Sequence, residues 1–195
     1  MRELIYYIAT TLDGFIARSD GSFDDFPWDD EFIAQLMDLY PETFPAPMRP
    51  DASRDENKAF DAVLMGRRTY EVGVRQNLTS PYPTLDQFVI SSTMPASPDP
   101  AVTLVSRDVL SFVEKLKTVP GKNIWLCGGS ELATGLFEAQ LVDRVIVKLN
   151  PVLFGAGIPL LARNLPTVAL ALESSRVFDS GHALLEYSGV RGSHC

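Results

Sequence analysis

The sequence predicts a three-layer α/β protein, with helices on both faces of a mostly parallel sheet of about eight strands. Short apolar runs alternate with amphipathic stretches through most of the chain, which is the pattern of strand–helix–strand units. The last apolar runs follow one another without a helix between them, so the sheet should end in an antiparallel edge. A length of 195 residues, with 46% hydrophobic and 22% charged residues, is typical of one globular domain. We therefore expect a single domain over residues 1–190 and a tail over 191–195.

The N-terminal part of the chain predicts strands and helices in alternation. One helix is indicated by apolar residues at helical spacing after the possible caps Asp29 and Asp30. Prolines interrupt residues 41–51, which should form a loop. The expected elements are a strand at Leu4–Ala9, the helix at Glu31–Tyr40, a short helix at Ser53–Phe60, a strand at Ala62–Met65 and a helix at Thr69–Gln76.

The second half continues the alternation and then turns to strands alone. Pro120-Gly121 ends one helix, and Ser180-Gly181 marks a hairpin turn inside the last apolar segment. The expected elements are strands at Phe88–Ile90 and Val102–Val105, a helix at Asp108–Thr118, a strand at Asn123–Cys127, a helix at Ser130–Ala139, a strand at Val142–Leu149, a glycine-rich turn at Leu153–Ile158, and strands at Val168–Leu172 and Arg176–Tyr187.

Charge and hydropathy exclude several classes of protein. The net charge is −8, from 25 acidic and 17 basic residues, and such a surface repels the phosphate backbone of nucleic acids. No apolar run approaches the roughly 18 residues of a membrane-spanning helix, and the N-terminal run is too short for a signal peptide. Cys127 and Cys195 are not expected to form a structural disulfide, so we expect a cytoplasmic protein.

The strongest local motif is NIWLCGGSELATGLFE, residues 123–138. A buried strand ends in two glycines and a helix begins at once, so backbone amides and the helix dipole should favour an anion there. Gly128 and Gly129 lack the Cβ atoms that would hold a diphosphate away. A glycine turn that only packs helix on strand is an equal alternative.

Two further strand ends carry groups suited to phosphate. MGRRTYE, residues 65–71, follows a strand and opens a helix with Arg67, Arg68 and Thr69, although two solvated arginines are an alternative. Ser91-Ser92-Thr93 follows a third strand and could equally be a polar turn. Ligands of open α/β sheets bind at such strand ends, so the three motifs together favour a ligand with more than one phosphate.

Five motifs in order carry a resemblance to a known family. They are TLDGFIA (11–17), MGRRTYE (65–71), VISSTMP (89–95), CGGSELA (127–133) and NPVLFGAGIPLL (150–161). From about residue 3 to residue 187 the chain resembles the dihydrofolate reductase-like superfamily. The closer resemblance is to the branch that contains the reductase domain of bacterial riboflavin biosynthesis. It implies the dihydrofolate reductase-like fold, NADPH as cofactor and a homodimer.

The resemblance also implies roles for individual residues. Backbone groups of Ala9 and Ile16 match those that hold the nicotinamide carboxamide, and Arg67 matches the arginine that faces the 2′-phosphate. An arginine with hydroxyl groups suits a dianionic 2′-phosphate, whereas an acid would suit NADH. The remaining residues that match cofactor contacts are Gly66, Arg68, Thr69, Ser91, Ser92, Cys127, Gly128, Gly129, Ser130 and Glu131.

The substrate side departs from the family's folate reductases, which carry one acid on the first helix shortly after a Pro-Trp pair. Here Pro27-Trp28 is followed by acids, but the position at the expected distance is the apolar Phe32-Ile33. Poor folate turnover is therefore expected, and Asp30 is the acid best placed to reach the substrate. Trp28 is a candidate substrate contact. So is Asp13, in the LDG turn, with a plain turn aspartate as the alternative.

The sequence thus predicts an NADPH-dependent reductase of a small heterocyclic or carbonyl substrate. Two alternatives stay open: a dihydrofolate reductase with a displaced helix acid, and a nucleotide-binding dimer that has lost catalysis. No metal is expected, because the acid-rich segment 24–32 has no nearby histidine and no regular ligand spacing. A serine hydrolase is not supported, since no GxSxG motif is present. His182, beside the hairpin turn, is expected to be structural.

Overall fold

Residues 1–162 and 165–189 are described by a computed structural model. The predicted tail at 191–195, and with it Cys195, lies outside the described residues. Within them the strands are β1 (Leu4–Thr11), β2 (Phe15–Ala17), β3 (Phe60–Gly66), β4 (Asp86–Ile90), β5 (Val102–Val105), β6 (Asn123–Gly128), β7 (Arg144–Asn150), β8 (Ile158–Pro159), β9 (Leu170–Val177) and β10 (Ala183–Gly189). The helices are α1 (Asp30–Leu39), α2 (Arg67–Arg75), α3 (Val109–Thr118) and α4 (Ser130–Glu138).

Eight of these strands form one sheet, in the order β5-β4-β3-β6-β1-β7-β10-β9. β1 lies inside the sheet and pairs in parallel with β6 and β7. β10 runs antiparallel to both of its neighbours and forms the predicted antiparallel edge with β9. The mostly parallel eight-stranded sheet expected from the sequence is therefore confirmed.

Helices cover both faces of the sheet, which completes the three predicted layers. On one face α1 buries Phe32 and Leu36 in the same apolar cluster as Tyr7 and Trp125. On the other face α3 and α4 bury their own apolar residues against the opposite sides of the same strands. α1 begins where expected, because the Asp29 carboxylate accepts the N–H of Phe32 and caps the helix. No helix in the described part of the chain is long and apolar enough to cross a membrane.

The short helix expected at Ser53–Phe60 is wrong. Only a single 3₁₀ turn forms, at Arg54–Glu56, and Phe60 already starts β3. The buried carboxylate of Glu42 accepts the N–H groups of Lys58, Ala59 and Phe60. A helix needs those same donors for its own carbonyls, so the side chain of Glu42 replaces the helical bonds.

The glycine-rich turn after β7 does more than reverse the chain. Its end forms β8, which pairs with β2 in a separate two-stranded ribbon. Gly157 is required for this pairing, since a Cβ there would lie 2.3 Å from the Ala17 carbonyl oxygen. The ribbon ties the loop after β1 to the loop after β7. The predicted segment Arg176–Tyr187 is likewise divided, into the end of β9, a turn at Ser180-Gly181 and β10.

Candidate active site

The turns that follow β3 and β6 touch each other through glycines. A Cβ added to Gly129 would lie 3.4 Å from the Cα of Gly66, and one added to Gly66 would lie 3.5 Å from the Gly128 oxygen. Gly129 also has φ of +100°, in the region that favours glycine. β3 and β6 are parallel neighbours in the sheet. The motifs that follow them, MGRRTYE and CGGSELA, therefore meet at the edge where the carboxyl ends of the two strands lie side by side.

Two helices start at this edge with their first N–H groups uncapped by side chains. α2 begins after Gly66 and α4 after Gly129, and neither receives a side-chain cap. The hydroxyl oxygen of Ser130 is buried, with no hydrogen-bond partner in the described part of the chain. Uncapped helix amides and an unpartnered hydroxyl together form a set of donors suited to a phosphate group.

Basic and hydroxyl side chains flank this edge. Gly66 pairs with Ile90 across β3 and β4, so Arg67 and Ser91 follow neighbouring strand ends. Arg67 is exposed, with its Nε 3.7 Å from an oxygen of Glu71. Ser91 is buried, and its oxygen accepts the N–H groups of the next residues, including Met94, so it shapes the turn. Arg68 and Ser92 are exposed, and Thr69 is half-buried.

Asp13 holds the loops after β1 and β7 together. Its carboxylate accepts the Thr11 hydroxyl and the backbone N–H groups of Phe154 and Gly155. These donors, the Thr11 hydroxyl first, lower the pKa of Asp13 below its usual value. The carboxylate therefore has a structural role in this protein. Its contact with a substrate hydroxyl stays a prediction.

Trp28 and Asp30 form a surface pair at the start of α1. The indole Nε1 donates to an Asp30 oxygen over 2.7 Å, and the Trp28 side chain is 65% exposed. The inward side of α1 carries Phe32 instead, whose ring stacks on His182 at 4.7 Å between centroids. The Nε2 of His182 lies 3.1 Å from the Pro27 oxygen, so this buried histidine holds the segment before α1 to the β9–β10 hairpin. Approach of Asp30 to a substrate stays a prediction.

A group that the sequence analysis missed lies beneath α1. Lys148 of β7 pairs with Ala9 of β1, and its Nζ sits 4.0 Å from the centroid of the Tyr7 ring. Burial lowers the pKa of Lys148 to about 8 and raises that of the nearby Cys127 thiol to about 11. Cys127 thus remains a neutral thiol near pH 7. The signal for Lys148 was available in the sequence, as a lysine in the apolar strand VIVKLN.

Within residues 1–162 and 165–189, no group of three or more histidine, cysteine, aspartate or glutamate side chains is arranged to hold a metal ion. Ile16 lies in the short strand β2, and Glu131 is exposed at the start of α4 beside Ser130. The groups that the structure brings together at the candidate site are backbone amides, hydroxyls and basic side chains.

The family model of the RibD C-terminal domain matches residues 2–184. The chain belongs to the RibD C-terminal domain family. An uncharacterized protein of Bacillus subtilis (strain 168), YwjB, is 30% identical over 177 residues, which are 91% of this chain and 92% of that protein. A second uncharacterized protein of the same organism, YyaP, is 28% identical over 198 residues, or 95% of this chain and 94% of that protein.

Solved structures support the same assignment. A putative riboflavin biosynthesis protein from Shewanella sp. PV-4 superimposes with a TM-score of 0.72 and 25% identity, over 97% of this chain and 99% of that one. Dihydrofolate reductase from Enterococcus faecalis, complexed with NADP(H), superimposes with a TM-score of 0.63 and 16% identity over 96% of each chain. At that identity the second comparison establishes the fold alone, and this fold is the predicted dihydrofolate reductase-like one.

Proposed function

We propose that this member of the RibD C-terminal domain family is a cytoplasmic, NADPH-dependent reductase of a small heterocyclic or carbonyl compound. The observation that carries the proposal is the pair of uncapped helix N-termini, α2 and α4, beside the buried and unpartnered Ser130 hydroxyl. Two adjacent helix ends offer donors for two phosphate groups, which suits a dinucleotide. Among structures of this fold, one from Thermotoga maritima is described as a deaminase and 5-amino-6-(5-phosphoribosylamino)uracil reductase.

The residues present fit the cofactor, because the glycine contacts leave the strand ends free of side chains. The amides after Gly66 and Gly129 and the Ser130 hydroxyl would hold the pyrophosphate, with Thr69, Gly128 and Glu131 around it. The side chains assigned to the 2′-phosphate are Arg67, Arg68, Ser91 and Ser92. Backbone groups of Ala9 and Ile16 would hold the carboxamide, next to Cys127. When bound, the nicotinamide supplies the hydride.

The protein then contributes orientation and exclusion of water. The face of α1 that covers the sheet is apolar at Phe32 and Leu36, which are 4% and 3% exposed. His182 stacks on Phe32 and contacts Pro27, so this wall is held by the C-terminal hairpin. An apolar helix packed beside the position assigned to the nicotinamide would exclude water and keep a small substrate close to the ring.

Folate is a poor match for this wall. The candidate acid Asp30 is exposed and already accepts the Trp28 indole N–H, while the buried positions beside it are apolar. Holding and protonating a pterin requires a carboxylate inside the pocket. The substrate is therefore proposed to be a pyrimidine or a small carbonyl compound.

The test is direct binding and turnover with matched cofactors and substrates. We expect NADPH to bind more tightly than NADH, as measured by the change in nicotinamide fluorescence. Absorbance at the reduced nicotinamide band should fall with 5-amino-6-(5-phosphoribosylamino)uracil and not with dihydrofolate. Tight NADPH binding without turnover of any carbonyl compound would favour the catalytically inactive dimer. Reduction of dihydrofolate at about 1–10 per second, abolished by Asp30→Asn, would favour the folate reductase.

A further inference from the structure

Lys148 occupies a central position on the sheet. It lies in β7, with Ala9 of β1 on one side and Leu184 of β10 on the other. Its Nζ contacts the face of the Tyr7 ring, and Tyr7 belongs to the cluster that α1 covers. The side chain therefore points to the α1 face, at the level of the strand segment assigned to the nicotinamide.

The ammonium of this half-buried lysine contacts the Tyr7 ring but has no ionic partner among the described residues. Among the described residues, the Lys148 ammonium has neither a carboxylate within ion-pair distance nor a hydrogen-bond acceptor. Glu186, two pairs further along β10, is already bound to the Tyr40 hydroxyl at 2.8 Å and to Arg144 at 2.9 Å. Burial of an unpaired charge is unfavourable, and such groups concentrate at functional sites.

Besides the Glu186–Arg144 ion pair, the titratable neighbours of Lys148 are neutral near pH 7. β1 contributes Tyr7 and β6 contributes Cys127, and burial raises the pKa of both groups. Tyr82, from the segment before β4, is half-buried beside Cys127 with its pKa also raised. α1 presents apolar residues to this cluster. Lys148 therefore supplies a positive charge to this site. Within the part of the chain that the structure describes, the site has no inward-facing carboxylate of the kind that a pterin requires.

We propose that Lys148 binds an electron-rich oxygen or nitrogen of the substrate and donates to that atom the proton that its reduction requires. This inference rests on the proposed function and names the class of substrate: an anion or a neutral C=O or C=N compound, not a cation. As the carbon of the double bond accepts the hydride, its π electrons move to the oxygen or nitrogen, which takes a proton from Nζ. The neutral amine then regains a proton from water.

The acidity of the group agrees with this role. Burial lowers the pKa of Lys148 to about 8, so the group is mainly charged at pH 7 and can still release a proton. A proton donor is most effective when its pKa lies near the working pH. Cys127 and Tyr7 ionise at higher pH than Lys148 and cannot replace it in this range.

The first test is the reactivity of the lysine toward trinitrobenzenesulfonate, a planar anion, with sites quantified by peptide mass spectrometry. Lys115 and Lys122 are exposed and serve as internal controls. About half of a lysine with a pKa near 8 is neutral at pH 8, against roughly 0.3% of an ordinary lysine. We expect Lys148 to react at least ten-fold faster than the controls, with half-maximal rate near pH 8. A rate no greater than that of the controls would overturn the proposal.

The second test separates binding from proton donation. Lys148→Met should leave NADPH affinity within two-fold and lower kcat/KM for 5-amino-6-(5-phosphoribosylamino)uracil at least 100-fold. Lys148→Arg should restore most of KM but not kcat, because a guanidinium does not release its proton near neutral pH. If the wild type is active and both variants keep its full kcat, Lys148 is not the proton donor. If the wild type binds no NADPH, the proposed function fails, while the labelling experiment still decides whether Lys148 is an accessible acid.

Discussion

Gly129 is the residue on which the candidate cofactor site depends most closely. We expect Gly129→Val to abolish NADPH binding while the fold is retained. The new side chain would meet the Gly66 backbone, and a φ of +100° is unfavourable for valine. Circular dichroism and NADPH titration measure the two effects separately. Gly135→Ala is the matched control, since Gly135 lies in the same α4 with open space around it. Unchanged NADPH affinity in folded Gly129→Val would remove this turn from the site.

Arg67 is expected to determine the preference between the two nicotinamide cofactors. Arg67→Ala should weaken NADPH about 10- to 100-fold, because a charge-assisted contact is worth roughly 1.5–3 kcal/mol, and should change NADH little. The control is Arg75→Ala, at the exposed far end of the same helix. Dissociation constants for both cofactors would be measured by fluorescence. Equal losses for NADPH and NADH would mean that Arg67 does not contact the 2′-phosphate.

At the scale of elements, the carboxylate of Asp13 bridges the two loops that the β2–β8 ribbon joins. Asp13 accepts donors from both loops, and these donors lower its pKa. A carboxyl with a lowered folded pKa adds stability above its unfolded pKa, near 3.9, and loses it as the pH falls through the folded value. We expect Asp13→Asn to lower Tm at pH 7 and to flatten the fall in Tm below about pH 4.

Thermal unfolding monitored from pH 2 to 7 would check this prediction. Asp24→Asn is the control, because Asp24 is an exposed aspartate in the next connection, between β2 and α1. If Asp13→Asn and Asp24→Asn had the same pH profile, the carboxylate of Asp13 would not be what holds the two loops together. The ribbon would then depend on its backbone pairing and on the contacts of Arg18 with Phe154.

At the scale of the whole molecule, β9 leaves one edge of the sheet uncovered. All eight of its residues are exposed, and Leu172 and Val177 are 56% and 74% exposed. An apolar groove of about 200 Å³, lined by Leu165, Val168 and Leu170 among others, lies beside its start. An edge strand with exposed apolar residues is a template for pairing with another chain. We propose a second copy of this chain as the partner.

The oligomeric state tests that proposal. Light scattering should give twice the chain mass of 21.5 kDa for the wild type and 21.5 kDa for Leu172→Lys. Leu110→Lys, on α3 and 48% exposed, is the control and should remain a dimer. A wild type that is monomeric at about 50 µM, well above the dissociation constant of ordinary stable dimers, would contradict it.

The sequence alone determined the elements whose signals are local. Buried strands are continuous apolar runs, and a strand that ends in Gly128-Gly129 and passes into a helix is visible within a few residues. The cap at Asp29 and the hairpin turn at Ser180-Gly181 were predicted for the same reason. Parallel strands place their carboxyl ends at one edge, so the element order also predicted that the three glycine, arginine and serine motifs lie along that edge. That β3 and β6 are neighbours, with their turns in contact, was decided by the tertiary structure.

Only the tertiary structure decided which distant groups meet. The carboxylate of Glu42 binds the backbone before β3, and His182 holds the segment before α1, through contacts between residues far apart in the chain. The environment of Lys148 is assembled from β1, β6 and β10, so its unpaired charge appears only when those strands are side by side. Local patterns report backbone preference and burial, whereas hydrogen-bond partners and uncompensated charge depend on long-range packing, which one sequence does not display.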